Sequence, residues 1–255
     1  MKFLIRKFIP TYFFNILWGN RSLWGLVADE DDKCWKEWQK TLPKFYSENQ
    51  REGIGTKIND AGYRIMKNID LENKTVLEIG AGDIRHLKYM TSKPEEFIVA
   101  DIDKSMMEFA EEILKQKDIK HKTVILERNS KLPIPDNSID VIISFYSLEH
   151  LHPLDEYLKD MHRVLKPGGI MIGAIPAEGG LAWGLGRVLT SRRWMNKYTN
   201  IDYDKIICWE HPNFADKVDH ELKKIFIKDE TRFWPIPFLP LLDVNLIFKF
   251  KYKKE

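Results

Sequence analysis

The run Thr75-Val76-Leu77-Glu78-Ile79-Gly80-Ala81-Gly82-Asp83 constrains this chain more than any other stretch. Apolar β-formers lead into two glycines, with an acid just ahead of the first. A buried parallel strand has this form when it ends at a tight turn that a ligand approaches along the backbone. Gly80 and Gly82 lack a Cβ, so the turn can take dihedrals closed to other residues and a bulky group can lie against it. A dinucleotide loop needs G-x-G-x-x-G, its third glycine serving close helix–strand packing. That position holds Arg85, so the dinucleotide fingerprint fails. A second apolar run, Phe97-Ile98-Val99-Ala100, ends at Asp101, about 20 residues on, where a carboxylate meets ribose hydroxyls. Asp101 suits any adenosine-containing ligand and does not choose among them.

The middle of the chain makes the choice. Leu132-Pro133-Ile134-Pro135-Asp136-Asn137-Ser138 is turn chemistry, since short polar side chains hydrogen-bond their own backbone. Val141 to Phe145 is an unbroken apolar run, as in a central strand covered on both faces. Leu148-Glu149-His150-Leu151 follows, then a helical stretch to Val164-Leu165 that Lys166-Pro167-Gly168-Gly169 is expected to stop. Ile170 to Ile175 is the next strand. Strands and helices alternating with short connections give a parallel, doubly wound sheet that binds ligands at its carboxyl edge.

In the order and spacing of these motifs, residues 70–176 resemble the class I S-adenosylmethionine-dependent methyltransferases, in particular the small-molecule group. The resemblance implies an α/β, doubly wound Rossmann-like, mostly parallel sheet with an antiparallel last strand. It divides the chain into a helical extension over 1–68 and a methyltransferase domain over 69–255, with a lid-like insertion at 177–213 before the last helix. It implies S-adenosylmethionine as cofactor. Glu78 orients the loop or meets the methionine amino end, and the backbone at Gly80, Ala81 and Gly82 passes the methionine portion. Asp101 takes the ribose hydroxyls, Ile102 packs on adenine, Asn129 serves the adenine edge, and Phe145 completes the cofactor set.

A sulfonium methyl moves by in-line displacement, so the enzyme's task is to hold the acceptor atom close and aligned. For a hydroxyl acceptor a general base helps. His150, beside Glu149 just past the fourth strand, is the best candidate, with His152 and His211 weaker. The bland alternative is a His150 that only hydrogen-bonds locally. Two departures from the family pattern bear on cofactor affinity: Ile84 stands where a third glycine is usual, and Arg128 where an acid commonly binds the adenine amine.

The remaining segments bound the partners. The chain has 255 residues, enough for one large core with elaborations, and a formal charge of +2, which gives no electrostatic case for nucleic acid. Cys34 and Cys208 form neither a disulfide framework nor a metal spacing, so no metal and a reducing cytoplasm are expected. Lys2, Arg6 and Lys7 beside Phe3, Leu4, Phe8 and Ile9 leave residues 1–18 two readings: an interfacial helix on the inner membrane, or a helix packed on the domain or in a homodimer. Trp35, Trp38, Phe45 and Tyr46 read as preceding helices, core filler or a cover for the cofactor. Residues 214–226 read as an amphipathic helix, and 227–234 and 244–252 as closing strands. The N-terminus is similar to those of surface-polysaccharide methyltransferases, and Trp183, Trp194 and Trp209 on the lid suit a sugar face. The expected acceptor is therefore a hydroxyl of a sugar or lipid-linked glycan, with quinone or other lipid methylation as the alternative. A non-catalytic cofactor-binding or scaffolding protein on this fold is the reading from another class.

Overall fold

A computed structural model describes residues 2–49, 53–127 and 130–255. Arg128 and Asn129 lie outside the described residues, and the side chain of Tyr46 is likewise not described.

Seven strands form one sheet: β1 (Thr75–Ile79), β2 (Glu96–Asp101), β3 (His121–Ile125), β4 (Ile139–Phe145), β5 (Leu165–Pro176), β6 (Ile227–Trp234) and β7 (Ile247–Lys253). Their order is β3-β2-β1-β4-β5-β7-β6, with β7 antiparallel to both its neighbours. β1 pairs in parallel with β2 on one side and β4 on the other, so the order reverses there and a crevice opens at the carboxyl ends. The sheet is thus the doubly wound, mostly parallel one expected from the sequence.

Each face of the sheet buries its own apolar set. On one side Leu77, Ile79 and Ile142 meet α6 (Leu154–Val164) and α10 (Ala215–Ile225). α6 presents Leu154, Leu158 and Met161, and α10 presents Ala215, Val218 and Leu222, at the three- and four-residue spacing of a helix stripe. On the other side Val76, Val99, Val141 and Ile143 meet α5 (Lys104–Gln116) and the end of α4 (Gly53–Tyr63). Asp103 caps α5 by accepting from the Ser105 and Met106 amides, which fixes where β2 ends and α5 starts. The Lys166–Gly169 stretch does not stop a helix. α6 already ends at Val164 and β5 starts at Leu165, where Lys166 Nζ lies 2.8 Å from Asp140 Oδ2.

The expected extension and insertion form a single helical layer. α1 (Thr11–Trp18), α2 (Arg21–Trp24) and α3 (Lys33–Asn49) pack on α7 (Leu181–Arg187), α8 (Arg193–Tyr198) and α9 (Tyr203–Glu210), with a π-helical turn at Val188–Arg192. Trp35, Trp38, Phe45, Ile206 and Trp209 fill a third core between them. Buried Arg187 ties three elements: its Nε donates to Leu17 O at 2.9 Å, one Nη reaches Ile16 O, and the same group meets Asp204 at 3.0 Å. It thereby satisfies carbonyls at the end of α1. Two of the three tryptophans expected to stack on a sugar are spent on this core, and Trp183 is not part of it. Trp209 is buried edge-on to Trp35 and donates to Trp24 O at 2.8 Å, and Trp194 packs on Phe45 and donates to Glu48 at 2.9 Å.

Trp38 is 3% exposed and its indole N–H donates to Glu210 Oε1 at 2.6 Å. Trp38→Ala removes both packing and a bond, and is expected to lower unfolding free energy by about 3–5 kcal/mol in urea titrations.

Candidate active site

The glycine turn closes on itself for a steric reason. Gly80 has φ +68°, and a Cβ there would stand 2.3 Å from Ser147 Oγ. That hydroxyl lies 3.0 Å from Ile79 O and 3.1 Å from Phe145 O, stitching the ends of β1 and β4 together. Gly82 has φ +52°, and the space its Cβ would fill is open to 4 Å. The turn therefore offers a bare backbone toward the crevice. Gly80 N donates to Ala100 O at 2.9 Å, and Gly82 N faces Asp101 Oδ2 at 3.5 Å, so the ends of β1 and β2 meet.

Ile84 resolves how the loop manages without a third glycine. Its backbone is left-handed, φ 41° and ψ 34°, while its side chain is 2% exposed and points into the core rather than the crevice. The conformation costs roughly 1–2 kcal/mol, offset by apolar burial. A short 3-10 helix, Arg85–Tyr89, follows in place of a long one, and Arg85 Nε pairs with Asp83 at 2.7 Å.

Acids converge on this turn. Glu78 is 1% exposed, its Oε2 has no hydrogen-bond partner, and Oε1 lies 3.3 Å from His86 Nδ1. Burial, then the negative charges of Asp101 and Asp83, push the Glu78 carboxyl well above its usual range. His86 is pushed down to about 3 by burial, so it stays neutral and supplies no countercharge. Asp101 is raised too, chiefly by burial, although its Oδ1 accepts from Asp103 N at 2.9 Å. A cationic ligand would relieve this excess of acid. The fit to S-adenosylmethionine is good on these grounds: an orphaned carboxylate oxygen, a bare glycine backbone and a second carboxylate at the end of β2. Ile102 is 56% exposed and free to cover a ring. Ala81 is buried. The Phe145 ring sits in the wall at the end of β4, 5.1 Å from both Tyr63 and His86.

A second cluster stands at the ends of β4 and β5. Glu149 and Glu178 are each 1% exposed, and each keeps one oxygen without a hydrogen-bond partner. His211, at the end of α9, bonds Glu178 through Nδ1, and its ring is edge-on to His150 at 4.6 Å. His150 Nδ1–H donates to the Glu210 carbonyl at 2.6 Å, which leaves the Nε2 lone pair available. The protonation states diverge. Burial lowers His150 to about 3, helped by the nearby His211. His211 is raised to about 9, because the carboxylates of Glu178, Glu149 and Glu210 outweigh its burial. Burial raises Glu149 to about 8. His150 thus stands where the sequence placed it, but as a neutral ring of low basicity. Glu149, named only as its neighbour, and His211, ranked below it, have pKa values nearer neutrality. Glu178 left no sequence signal, since its pairing with His211 spans the whole of α7 to α9. His152 stands apart from the cluster; its Nδ1 has no hydrogen-bond partner.

Residues 77–173 match the family described as Methyltransferase domain. The ubiquinone/menaquinone biosynthesis C-methyltransferase UbiE of Shewanella sp. (strain W3-18-1) is 33% identical over 95 residues, covering 36% of this chain and 38% of that protein. UbiE of Pseudomonas paraeruginosa is 30% identical over 145 residues, covering 52% and 57%. The chain thus spans between about two fifths and three fifths of these curated relatives. Among solved structures, a SAM-dependent methyltransferase from Aquifex aeolicus superimposes with TM-score 0.51 at 15% identity, covering 88% of this chain and 100% of that one. The 4+2 cyclase SpnF superimposes with TM-score 0.57 at 14% identity, covering 90% and 98%. At that identity the two structures speak for the fold, and SpnF, a 4+2 cyclase, carries a different chemistry on it. Fold, motif order and family match agree on the central segment: residues 77–173 are similar to the Methyltransferase domain family and lie on the fold that solved S-adenosylmethionine-dependent methyltransferases share.

Proposed function

We propose that the chain transfers a methyl group from S-adenosylmethionine to a small apolar acceptor, of the quinone-ring or lipid type, at a membrane surface. One observation carries the reading: the acid-rich glycine turn at the ends of β1 and β2 adjoins the buried Glu149–His211–Glu178 set at the ends of β4 and β5. When bound, the cofactor supplies an electrophilic methyl on a sulfonium. Glu78 and Asp101 hold its cationic and ribose portions, and Gly80 to Gly82 let it lie on the backbone. Tyr63 and Tyr146, edge to face at 5.5 Å, wall off the crevice, with Tyr146 donating to Asn59 O at 2.8 Å.

Glu149 serves as the base in this reading, with His211 holding positive charge beside the developing acceptor anion. The acceptor class is supported by the names of the curated relatives, whose matched lengths are partial. The sugar-hydroxyl reading loses part of its support, because Trp209 is buried and Trp194 half-buried in the helical core, whereas Trp183 lies outside it. The N-terminal segment combines its two expected roles. Leu17 and Trp18 are buried on the domain, whereas Phe8 is 76%, Tyr12 72% and Phe238 90% exposed. Lys2 bridges to Leu241, bringing the Phe238 loop alongside the N-terminal segment. No helix among the described residues is long and apolar enough to cross a membrane, so contact would be peripheral.

Calorimetry with S-adenosylmethionine tests the first step. Saturable binding is expected, weakened roughly tenfold or more by Asp101→Ala; absence of binding at about 1 mM cofactor would sink the enzyme reading in favour of a scaffold. Glu149→Gln is expected to lower kcat about 10²–10⁴-fold and to remove the rise in kcat/KM toward pH about 8, with cofactor affinity kept. His150→Asn should cost far less.

His211 also links pH to stability. Its folded pKa lies above the ordinary 6.5, so the stability it confers is present below about 6.5 and lost as pH rises through about 9. Thermal unfolding between about pH 8 and 9.5 should show a falling Tm, and His211→Asn should flatten that slope. For membrane contact, Phe8→Ser, Tyr12→Ser and Phe238→Ser together should reduce sedimentation with phosphatidylglycerol vesicles; unchanged sedimentation would refute the peripheral reading.

A further inference from the structure

Between the N-terminal segment and the start of α10 lies a cleft of about 430 Å³ that the methyl-transfer reading leaves unused. Arg6, Arg21, Lys217, Phe214 and Asp216 line it. Two guanidinium groups share one aromatic ring: Arg21 Cζ lies 3.8 Å and Arg6 Cζ 5.0 Å from the Phe214 centroid. Bringing like charges onto one ring is unfavourable unless something negative meets them.

The carboxylates at hand meet that need only in part. Asp216 pairs with Arg6 Nη2 at 2.8 Å. Glu178 stands 3.8 Å from Arg21, beyond hydrogen-bond distance, and is already bonded to His211. Arg21 instead donates to two carbonyls, Trp18 O and His211 O. Arg6 Nη1 and Arg21 Nε are both buried with no hydrogen-bond partner, although buried guanidinium donors are ordinarily satisfied. Lys217 adds a third cation, with no ion pair among the described residues. It sits in the first turn of α10, whose N-cap Phe214 has no capping side chain, so the positive end of that helix faces the same region. Three cations against two carboxylates at one cleft, beside a helix start, suit a tetrahedral oxyanion.

We infer that the cleft formed by Arg6, Arg21 and Lys217 over Phe214 binds a phosphate group. Exposed Leu4, Ile5 and Leu23 lie on the same N-terminal segment and suit an apolar tail on the molecule that bears it. Arg21 contacts the carbonyl of His211, so the phosphate would sit next to the acceptor cluster. Two sources share this chemistry: a membrane phospholipid headgroup, and a phosphate carried by the acceptor or another soluble ligand. The site stands on the cleft alone, and its test needs neither cofactor nor turnover.

Titration with inorganic pyrophosphate, followed by calorimetry, reads the soluble source. Sedimentation with phosphatidylcholine vesicles, with and without a phosphatidylglycerol fraction, reads the headgroup source. Lys217→Glu and Arg6→Gln are the test variants, folded state being checked by circular dichroism. Lys228→Glu, on β6 at the opposite end of the sheet, is the charge control. Pyrophosphate binding that both test variants weaken roughly tenfold or more, with the control unchanged, establishes the site for a soluble phosphate. Phosphatidylglycerol-dependent sedimentation lost in both variants but kept in the control establishes it for a headgroup. Binding in neither arm, or equal losses in the control, overturns the inference.

Discussion

Three neighbouring strands, β1, β4 and β5, run into buried glutamates at their carboxyl ends, and the architecture answers to the cost of placing them there. Glu78, Glu149 and Glu178 are each 1% exposed with one oxygen unpartnered. An isolated buried carboxylate is expensive, so each must stay protonated, find a cation, or wait for a ligand. Glu178 takes the imidazole of His211, and for that α9 must end beside β5. Glu149 stays protonated until about pH 8. Glu78 faces a neutral His86 and two further acids, a setting that a cationic cofactor suits.

The two halves of the crevice are held by different means. The cofactor half is set by backbone: Gly80 under Ser147, Gly82 open, and the Asp103 cap that fixes the turn after Asp101. The acceptor half is set by the helical layer. Arg187 secures α1 to α7 and α9, and α9 then delivers Glu210 and His211 to the ends of β4 and β5. A layer built from residues far apart in sequence therefore positions His211 beside Glu178 and Glu210 beside His150.

That division explains what could be read from the residues alone. The glycine turn, the strand alternation, the amphipathic α10 and the closing strands are local patterns, and all could be read directly. Ile84 could not, because nothing in a β-branched residue announces a left-handed backbone with its side chain turned inward. The fate of Trp194 and Trp209 depended on Trp35, Trp38 and Phe45, which lie on the other side of the sheet-forming sequence. The His150–Glu210 and His211–Glu178 contacts join residues 60 and 33 positions apart, beyond any spacing rule. Motif reading reached the turn after β4 and chose its most conspicuous histidine, whose partners lie far along the chain.

The third core has a consequence for how the chain is made. Leu17 waits for Arg187, Trp38 for Glu210 and Trp24 for Trp209, separations of 170, 172 and 185 residues. On a ribosome, the first helices emerge long before the segment that covers them, and their tryptophans stay uncovered while the whole parallel sheet is assembled. Closing so long a loop adds an entropic cost that only this layer's packing can offset. The Glu178–His211 and His150–Glu210 contacts therefore cannot form until the chain has been made past residue 211.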